Sequence, residues 1–475
     1  MLSYAIALFF MKGLSLLMLP IITRYLSPEQ LGRLEILAVT GALLGILFSL
    51  ALHEALYRFA GEAKGKQQRQ IANYLFTLTL VLSFSATLVI VTTLWQFSWP
   101  SEWQIDKRPF LILFGSLGIE GALAMALAWL RMQNRAKTFS MICIVTSTLQ
   151  VIMVIASLEL GFDIEGVLLS SFVAHVLQLI WVVQTSRLRL RMPNREFVRQ
   201  SIRYSAPIML SGLCAFGLNG AERWFILEGD SFAVLGQYAI AAKFALAMCI
   251  LVQPFGMWWL PKRFATLEQS IQRTVTITER GIAYICFLAI SVVVFGRWTL
   301  ELILTQSYSQ AAELLTGAIF MVLGKELCEL VNLGLLKNKR SSTLFYINLA
   351  TCTLALGCVS LAYQHGVWAV MVIIGIAQTL RAATLYIASQ RSYRLPYNAG
   401  KICLMVALTL SGLISLHQTN LPQLHLLIWL VYSLVLASLT LPDVFKRLTS
   451  APGNWVVNKR LGREQKEVIG SGKSL

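Results

Sequence analysis

The sequence predicts an all-α polytopic membrane protein of about fourteen transmembrane helices, and three observations carry that prediction. The first is composition. Of 475 residues, 56% are hydrophobic and only 13% are charged, with a mean hydropathy of +0.66, a balance far from that of soluble domains. The second is the division of the chain into fourteen apolar stretches with short loops between them. Crossing about 30 Å of hydrocarbon takes roughly 20 residues, and only the thirteenth and fourteenth stretches are short. The third is the placement of positive charge. With the N-terminus in the cytoplasm, 30 of the 40 Lys and Arg fall in cytoplasmic loops and the C-terminal tail. Four lie on the opposite side (Arg24, Arg33, Lys107 and Arg108) and six lie within spans. By the positive-inside rule, both termini are expected in the cytoplasm of a bacterial inner membrane. In a soluble chain a net charge of +17 would suggest nucleic acid. Here topology explains it, so membrane lipids, not nucleic acid, are the expected contact of the basic loops.

The first span, 4–23, carries Lys12 at its middle and Pro20 near its end. It has no small-residue cleavage site, so a retained helix is expected. Span 34–57 ends at Glu54 and Arg58, an i,i+4 couple that either lines a cytoplasmic mouth or pairs at the interface. Span 71–95 leads into Trp95, Trp99 and Trp103, read as interfacial anchors. Span 109–130 holds Glu120 with no basic residue within a turn; 138–158 carries no charged residue; 165–184 contains His175, read as a satisfied core histidine. Segment 185–203 has six arginines and a Pro-Asn pair, and reads as a basic linker, partly an amphipathic helix on the membrane face. Span 204–227 contains Pro207 and the pair Glu222-Arg223; 236–256 contains Lys243 and Pro254, followed by the anchors Trp258 and Trp259. Packing geometry is favoured over hinging for these prolines. Span 281–302 places Arg297 four residues before Glu301, a structural i,i+4 pair. Span 314–336 carries Lys325, Glu326 and Glu329, with Lys325 and Glu329 expected to pair and Glu326 left alone. Spans 343–363 and 367–389, the latter with Arg381, complete the second set of six. Spans 402–416 and 425–441 lie beyond it, and the tail 442–475 is polar, basic and expected to be disordered.

The organisation is therefore an N-lobe over 1–184, a cytoplasmic linker over 185–203, a C-lobe over 204–390, two extra helices within 391–441, and a tail. A faint repeat supports the six-and-six division. Leu31-Gly32 recurs as Leu235-Gly236, offset by 204, and Arg58-Phe59-Ala60 recurs as Arg263-Phe264-Ala265, offset by 205. Six spans per unit is even, so the repeat is parallel, about an axis along the membrane normal.

Enzyme chemistry has no foothold in the sequence. There is no GxxxxGK[ST], DxD, HExxH or GxSxG, only four aspartates, and no large external loop. The eight cysteines lie in or beside spans without CxxC or zinc spacing and read as small core residues. No catalytic residue, metal or cofactor is expected, and the chain reads as a transporter. The buried charges then become informative. A Lys or Arg at a helix centre costs roughly 2.5–3.5 kcal/mol on insertion scales. Lys12 and Lys325 are too central to snorkel easily, which favours a hydrated cavity. Lys243 and Arg381 leave cavity and snorkelling equally open. Glu120 either carries a proton or pairs with a Lys of another helix.

Several stretches resemble the Wzx-type polysaccharide flippases, of the multidrug/oligosaccharidyl-lipid/polysaccharide exporter superfamily. They are Lys12-Gly-Leu-Ser-Leu-Leu-Met-Leu-Pro20 through Arg24-Tyr-Leu-Ser-Pro28-Glu-Gln-Leu-Gly32, Glu54-Ala-Leu-Tyr-Arg58-Phe, Glu222-Arg223-Trp-Phe-Ile, and Leu235-Gly236-Gln-Tyr238-Ala. Family members usually carry Asp-Arg where this chain has Glu222-Arg223. The resemblance implies two six-helix lobes around a central cavity, plus two extra C-terminal helices. It implies translocation of an undecaprenyl-pyrophosphate-linked oligosaccharide between leaflets, with a polysaccharide polymerase and chain-length machinery as further partners. Lys12, Arg24, Arg58, Arg223, Lys243, Lys325 and Arg381 would form a cationic cavity. Glu54, Glu120, Glu222, Glu326 and Glu329 would balance charge or couple transport to H+ or Na+. The rival readings are a small-molecule antiporter of the same superfamily and a membrane glycan polymerase.

Overall fold

A computed structural model describes residues 2–96, 106–419 and 421–440, so Trp99, Trp103 and the tail 442–475 lie outside the described residues. The described residues form helices, short turns and no strand. In chain order the first half comprises α1 (Leu2–Leu17), α2 (Leu19–Tyr25), α3 (Pro28–Ser49), α4 (Leu52–Glu62), α5 (Gly65–Gln96), α6 (Lys107–Met132), α7 (Ala136–Glu159) and α8 (Ile164–Ser186). The second comprises α9 (Arg195–Gly217), α10 (Glu222–Gly229), α11 (Phe232–Trp259), α12 (Arg263–Gln269), α13 (Ile271–Ile303), α14 (Ser309–Val331), α15 (Leu333–Lys337), α16 (Ser341–Ala362) and α17 (Val367–Ser392). A final hairpin is α18 (Ala399–Gln418) and α19 (Pro422–Thr440).

Among the described residues, 11 helices are long and apolar enough to cross a membrane, and the chain is a multi-pass membrane protein. The expected spans 4–23, 204–227 and 314–336 fall on α1–α2, α9–α10 and α14–α15, where a break or a cluster of charges interrupts the apolar run. Each break has a local cause. Pro20 stands in the first turn of α2 and cannot continue α1, because it lacks an N–H and crowds the preceding turn. Leu50 and Ala51 are both left-handed, with φ of 47° and 51°, and divide the second span into α3 and α4. Ser27 starts α3 with a capping box to Gln30, and Pro28 follows at the first helical position. Pro207 and Pro254, by contrast, sit inside the unbroken helices α9 and α11.

Small residues bring the helices close. Gly324 of α14 lies against the backbone of α17: a Cβ there would be 2.7 Å from the carbonyl carbon of Gln378. Gly375 of α17 lies in turn against the Phe320 ring. This close approach is how helices associate where lipid removes the hydrophobic incentive. The segment after α8 is extended and runs along α5. The Arg189 amide donates to Asn73 Oδ1 at 3.0 Å and the Arg191 amide to Thr77 Oγ1 at 2.8 Å. Asn194 then caps α9, and Phe197 packs on Phe59 and Tyr74.

The α18–α19 hairpin docks on α13 through polar contacts. Trp429 Nε1 donates to Ser291 Oγ of α13 at 2.9 Å, while within the hairpin Thr409 and Tyr432 share a buried hydrogen bond of 2.7 Å. Arg297 belongs to this dock and corrects the expected pair with Glu301. It is buried and donates from Nη1 to the Leu416 carbonyl at the end of α18, at 2.8 Å, while Glu301 is exposed. A free C-terminal carbonyl at the partial negative end of α18 is the stronger attraction for a buried guanidinium. Arg297→Ala is expected to destabilise the detergent-solubilised protein by about 1–3 kcal/mol, read as a lower melting temperature. Glu301→Gln is expected to leave that temperature unchanged. Equal losses from both would restore the i,i+4 pair.

Candidate functional site

The two halves meet where α3 crosses α11, and the crossing is built on the repeated glycines. A Cβ on Gly32 would lie 1.8 Å from the Phe232 carbonyl oxygen; one on Gly236 would lie 2.0 Å from the Pro28 oxygen and 3.0 Å from the Gly32 amide nitrogen. Only glycine permits this backbone-on-backbone contact. Hydrogen bonds surround it, one across the halves and two within the second half. Tyr308 donates its hydroxyl to the Leu26 carbonyl at 2.8 Å, across the halves. Gln237 donates to the Ser307 carbonyl at 2.7 Å and accepts from the Ala311 amide at 3.0 Å. The first and second halves are therefore in direct backbone contact here.

One turn inward from Gly32 stands Glu35, a buried carboxylate of α3. Arg223 Nε of α10 donates to its Oε1 at 2.7 Å, and Lys243 Nζ of α11 lies 3.4 Å from its Oε2. Arg223 also pairs with Glu222 at 2.6 Å and donates to the Asn219 carbonyl at 3.3 Å. Tyr238 donates its hydroxyl to Glu222 at 2.9 Å. Two carboxylates thus face two cations, which is the condition for keeping charge in a low-dielectric slot. Trp224 Nε1, 3.4 Å from Thr40 Oγ1, adds a second polar bridge to α3. Sequence reasoning missed Glu35, although a signal existed. Its positions three and four residues away are Leu31, Gly32, Ala38 and Val39, so it has no partner on its own helix, the same feature that singled out Glu120. Lys243 points into this network, which removes the snorkelling alternative.

A second group lies further along the same face of α11. Lys12 of α1 donates to Gln253 Oε1 at 3.3 Å. Cys249 lies beside Glu326 of α14, and Lys12, Lys325 and Glu329 are near enough to act on that carboxylate electrostatically. No ion pair joins Lys325 to Glu329, contrary to expectation; Lys325 instead lines a cavity of about 100 Å³ shared with Asn219, Glu222, Arg223, Tyr238 and Lys243. Lys325 thus adjoins both groups.

The other predicted residues lie apart from these groups. Arg381 is buried between α17 and α14, with Nε 3.2 Å from Cys328 Sγ, so it does not snorkel. Glu120 lies over Gly45 of α3, with Oε2 3.4 Å from a Cβ placed there, and makes no ion pair among the described residues. The cross-helix Lys partner is thus not made. Arg24 is exposed in the last turn of α2. Of the two alternatives for Glu54 and Arg58, the i,i+4 pair is not formed: Arg58 pairs one turn on with Glu62 at 2.7 Å, and Glu54 lies 3.6 Å from His53. His175 is half-buried, and its Nδ1 has no hydrogen-bond partner, so it is not the satisfied histidine expected.

A family model described as "Polysaccharide biosynthesis protein" matches residues 1–266. No curated protein matches the sequence. Among solved structures, the chain is similar to the lipid II flippase MurJ in an inward closed conformation, with a TM-score of 0.69 at 12% identity, covering 94% of this chain and 100% of that one. An inward-facing multidrug resistance MATE family transporter of the MOP superfamily gives a TM-score of 0.62 at 13% identity, covering 84% and 95%. A mutant of the Vibrio cholerae MATE transporter VcmN gives 0.53 at 17% identity, covering 82% and 97%. These likenesses show the fold of MurJ and MATE transporters.

The glycine contact makes a direct prediction. Gly32→Ala or Gly236→Ala is expected to force α3 and α11 apart. Amide hydrogen exchange over 28–37 and 232–240 in nanodiscs should then quicken by at least about tenfold, the effect of a destabilisation near 1.4 kcal/mol. Gly357→Ala, with open space around its Cβ, is the control and should change neither segment.

Proposed function

Because the chain belongs to the polysaccharide biosynthesis protein family, we propose that it is a flippase for undecaprenyl-pyrophosphate-linked oligosaccharide. It carries complete repeat units from the cytoplasmic to the periplasmic leaflet of a bacterial inner membrane, for assembly into a surface polysaccharide. The observation that carries this reading is the cavity that Arg223, Lys243 and Lys325 line together, with Lys12 near Lys325 in the neighbouring group around Glu326. A pyrophosphate bearing a sugar is an anion with a large polar head. Lys and Arg in that space lower the cost of drawing it through the low-dielectric core: Arg as a planar fork for phosphate oxygens, Lys as a mobile point charge. The polyprenyl chain stays in lipid. In this reading the cation-rich loops face the cytoplasm and the glycine contact is the periplasmic gate. Rocking of the halves about α3 and α11 exposes the space to each side in turn.

The test compares lipids from a strain lacking the gene with those from strains complemented by wild type or by Lys12→Ala/Lys325→Ala. Without the gene, complete repeat units should accumulate facing the cytoplasm and surface polymer should be absent. The double variant, expressed and folded, should restore polymer at least about tenfold less well than wild type, since two charge-assisted contacts are lost. Complete units that reach the outer leaflet and stall unpolymerised would instead point to a glycan polymerase.

Glu120 and Glu326 are the proposed sites of ion coupling. Glu120 lacks a basic partner, and Glu326 lies among Lys12, Lys325 and Glu329, so either can gain or lose a cation as its surroundings change. In proteoliposomes, Glu120→Gln is expected to weaken the dependence of transport on an imposed proton or sodium gradient. Wild-type transport indifferent to both gradients would remove the coupling.

A further inference from the structure

Glu35 is the member of the charged network that belongs to the first half; Glu222, Arg223, Tyr238 and Lys243 belong to the second. It stands three residues from Gly32, about 4.5 Å along α3. The helices cannot part at the glycine contact without drawing Glu35 away from Arg223 and Lys243. That separation strands a carboxylate on one side and two cations sharing one remaining carboxylate on the other, and breaking a buried pair this way is strongly unfavourable. The empty protein is therefore held shut.

The same two cations are reachable from the cleft. The Arg223 side chain is 15% exposed and that of Lys243 31% exposed, and both line the cavity that Lys325 also lines. An anion arriving there meets them beside Glu35. A pyrophosphate brings more charge and more acceptor oxygens than one carboxylate, and it can hold both cations at once. We propose that Glu35 is a resident counter-anion: the pyrophosphate of the cargo displaces it from Arg223 and Lys243, and this exchange is what frees α3 and α11 to separate.

The proposal rests on the anionic-cargo reading above and adds a specificity device to it. A ligand shifts a conformational equilibrium only by its differential affinity for the two states. Here the difference is built in. In the shut state cargo competes with Glu35 for the cations, whereas in the open state it has them to itself. A neutral lipid-linked sugar cannot make the exchange and leaves the protein shut. Glu35 is thus a positioning residue, acting through Arg223 and Lys243.

The test uses the full-length protein in nanodiscs, with farnesyl pyrophosphate as the anionic probe and farnesol as its uncharged counterpart. Binding is followed by tryptophan fluorescence, and amide hydrogen exchange is read over 28–37 and 222–243. In wild type, exchange should be slow, should quicken roughly tenfold with farnesyl pyrophosphate, the scale of coupling between linked sites, and should not respond to farnesol. Glu35→Gln should exchange fast without ligand and respond no further. Glu35→Asp should keep both the slow exchange and the response. Wild type that binds farnesyl pyrophosphate with unchanged exchange overturns the proposal and leaves the flippase reading standing. So does a folded Glu35→Gln that exchanges as slowly as wild type. If Glu35→Gln does not fold, the wild-type contrast between the two probes decides. Wild type that binds no farnesyl pyrophosphate overturns the anionic-cargo reading and this proposal with it.

Discussion

Charge placed inside hydrocarbon must be matched or hydrated, and the interior of this protein is arranged around that requirement. Arg223 alone would be intolerable at its position. With Glu35, Glu222 and the Asn219 carbonyl around it, it becomes the joint between the halves. Matching has a directional consequence that apolar packing lacks. An apolar surface tolerates sliding, whereas a buried pair permits one register and penalises every other. At the α18–α19 hairpin Arg297 turns its Nη1 to a helix-end carbonyl, not to a carboxylate. A like rule holds along the extended segment after α8. There, backbone amides that have left a helix find Asn73 and Thr77 on α5.

The closed contact and the ion network depend on each other. Glycines at 32 and 236 let two backbones touch, and touching backbones bring Glu35 within reach of Arg223 and Lys243. Any Cβ at either glycine would hold the helices apart and weaken pairs that fall off steeply with distance. Conversely, without the pairs, the contact would rest on dispersion between small residues, which is modest within a membrane.

Much of this was legible in the sequence, for a physical reason. Periodicity of apolar residues and asymmetry of cations report directly on a bilayer, so the all-α membrane class and most spans follow from them. The repeat Leu31-Gly32 and Leu235-Gly236 pointed to the two positions that now lie back to back. What the sequence concealed was partner choice. Spacing along one helix suggested Arg297 with Glu301 and Lys325 with Glu329, and left Arg58 with Glu54 as one of two alternatives. The structure instead joins Arg297 to Leu416, Arg58 to Glu62, and turns Lys325 to the cavity. A helical neighbour is always available in a sequence, while a partner from another helix appears only once packing is known. Glu35 escaped notice for that reason, since the cations it pairs with stand far along the chain, on α10 and α11.

The position of α11 ties these threads together. Its small residue Gly236 makes the contact with α3, its Tyr238 and Lys243 enter the ion network, and its Cys249 and Gln253 reach the group around Lys12 and Glu326. One helix therefore carries residues of the glycine contact, the ion network and the cavity lining. A change in who neutralises Lys243 is felt at Gly236 without any intervening relay, because the two sit seven residues apart on a single element. That economy favours a two-state device over a graded one: α11 either lies on α3 with Lys243 on Glu35, or stands away with Lys243 on something else.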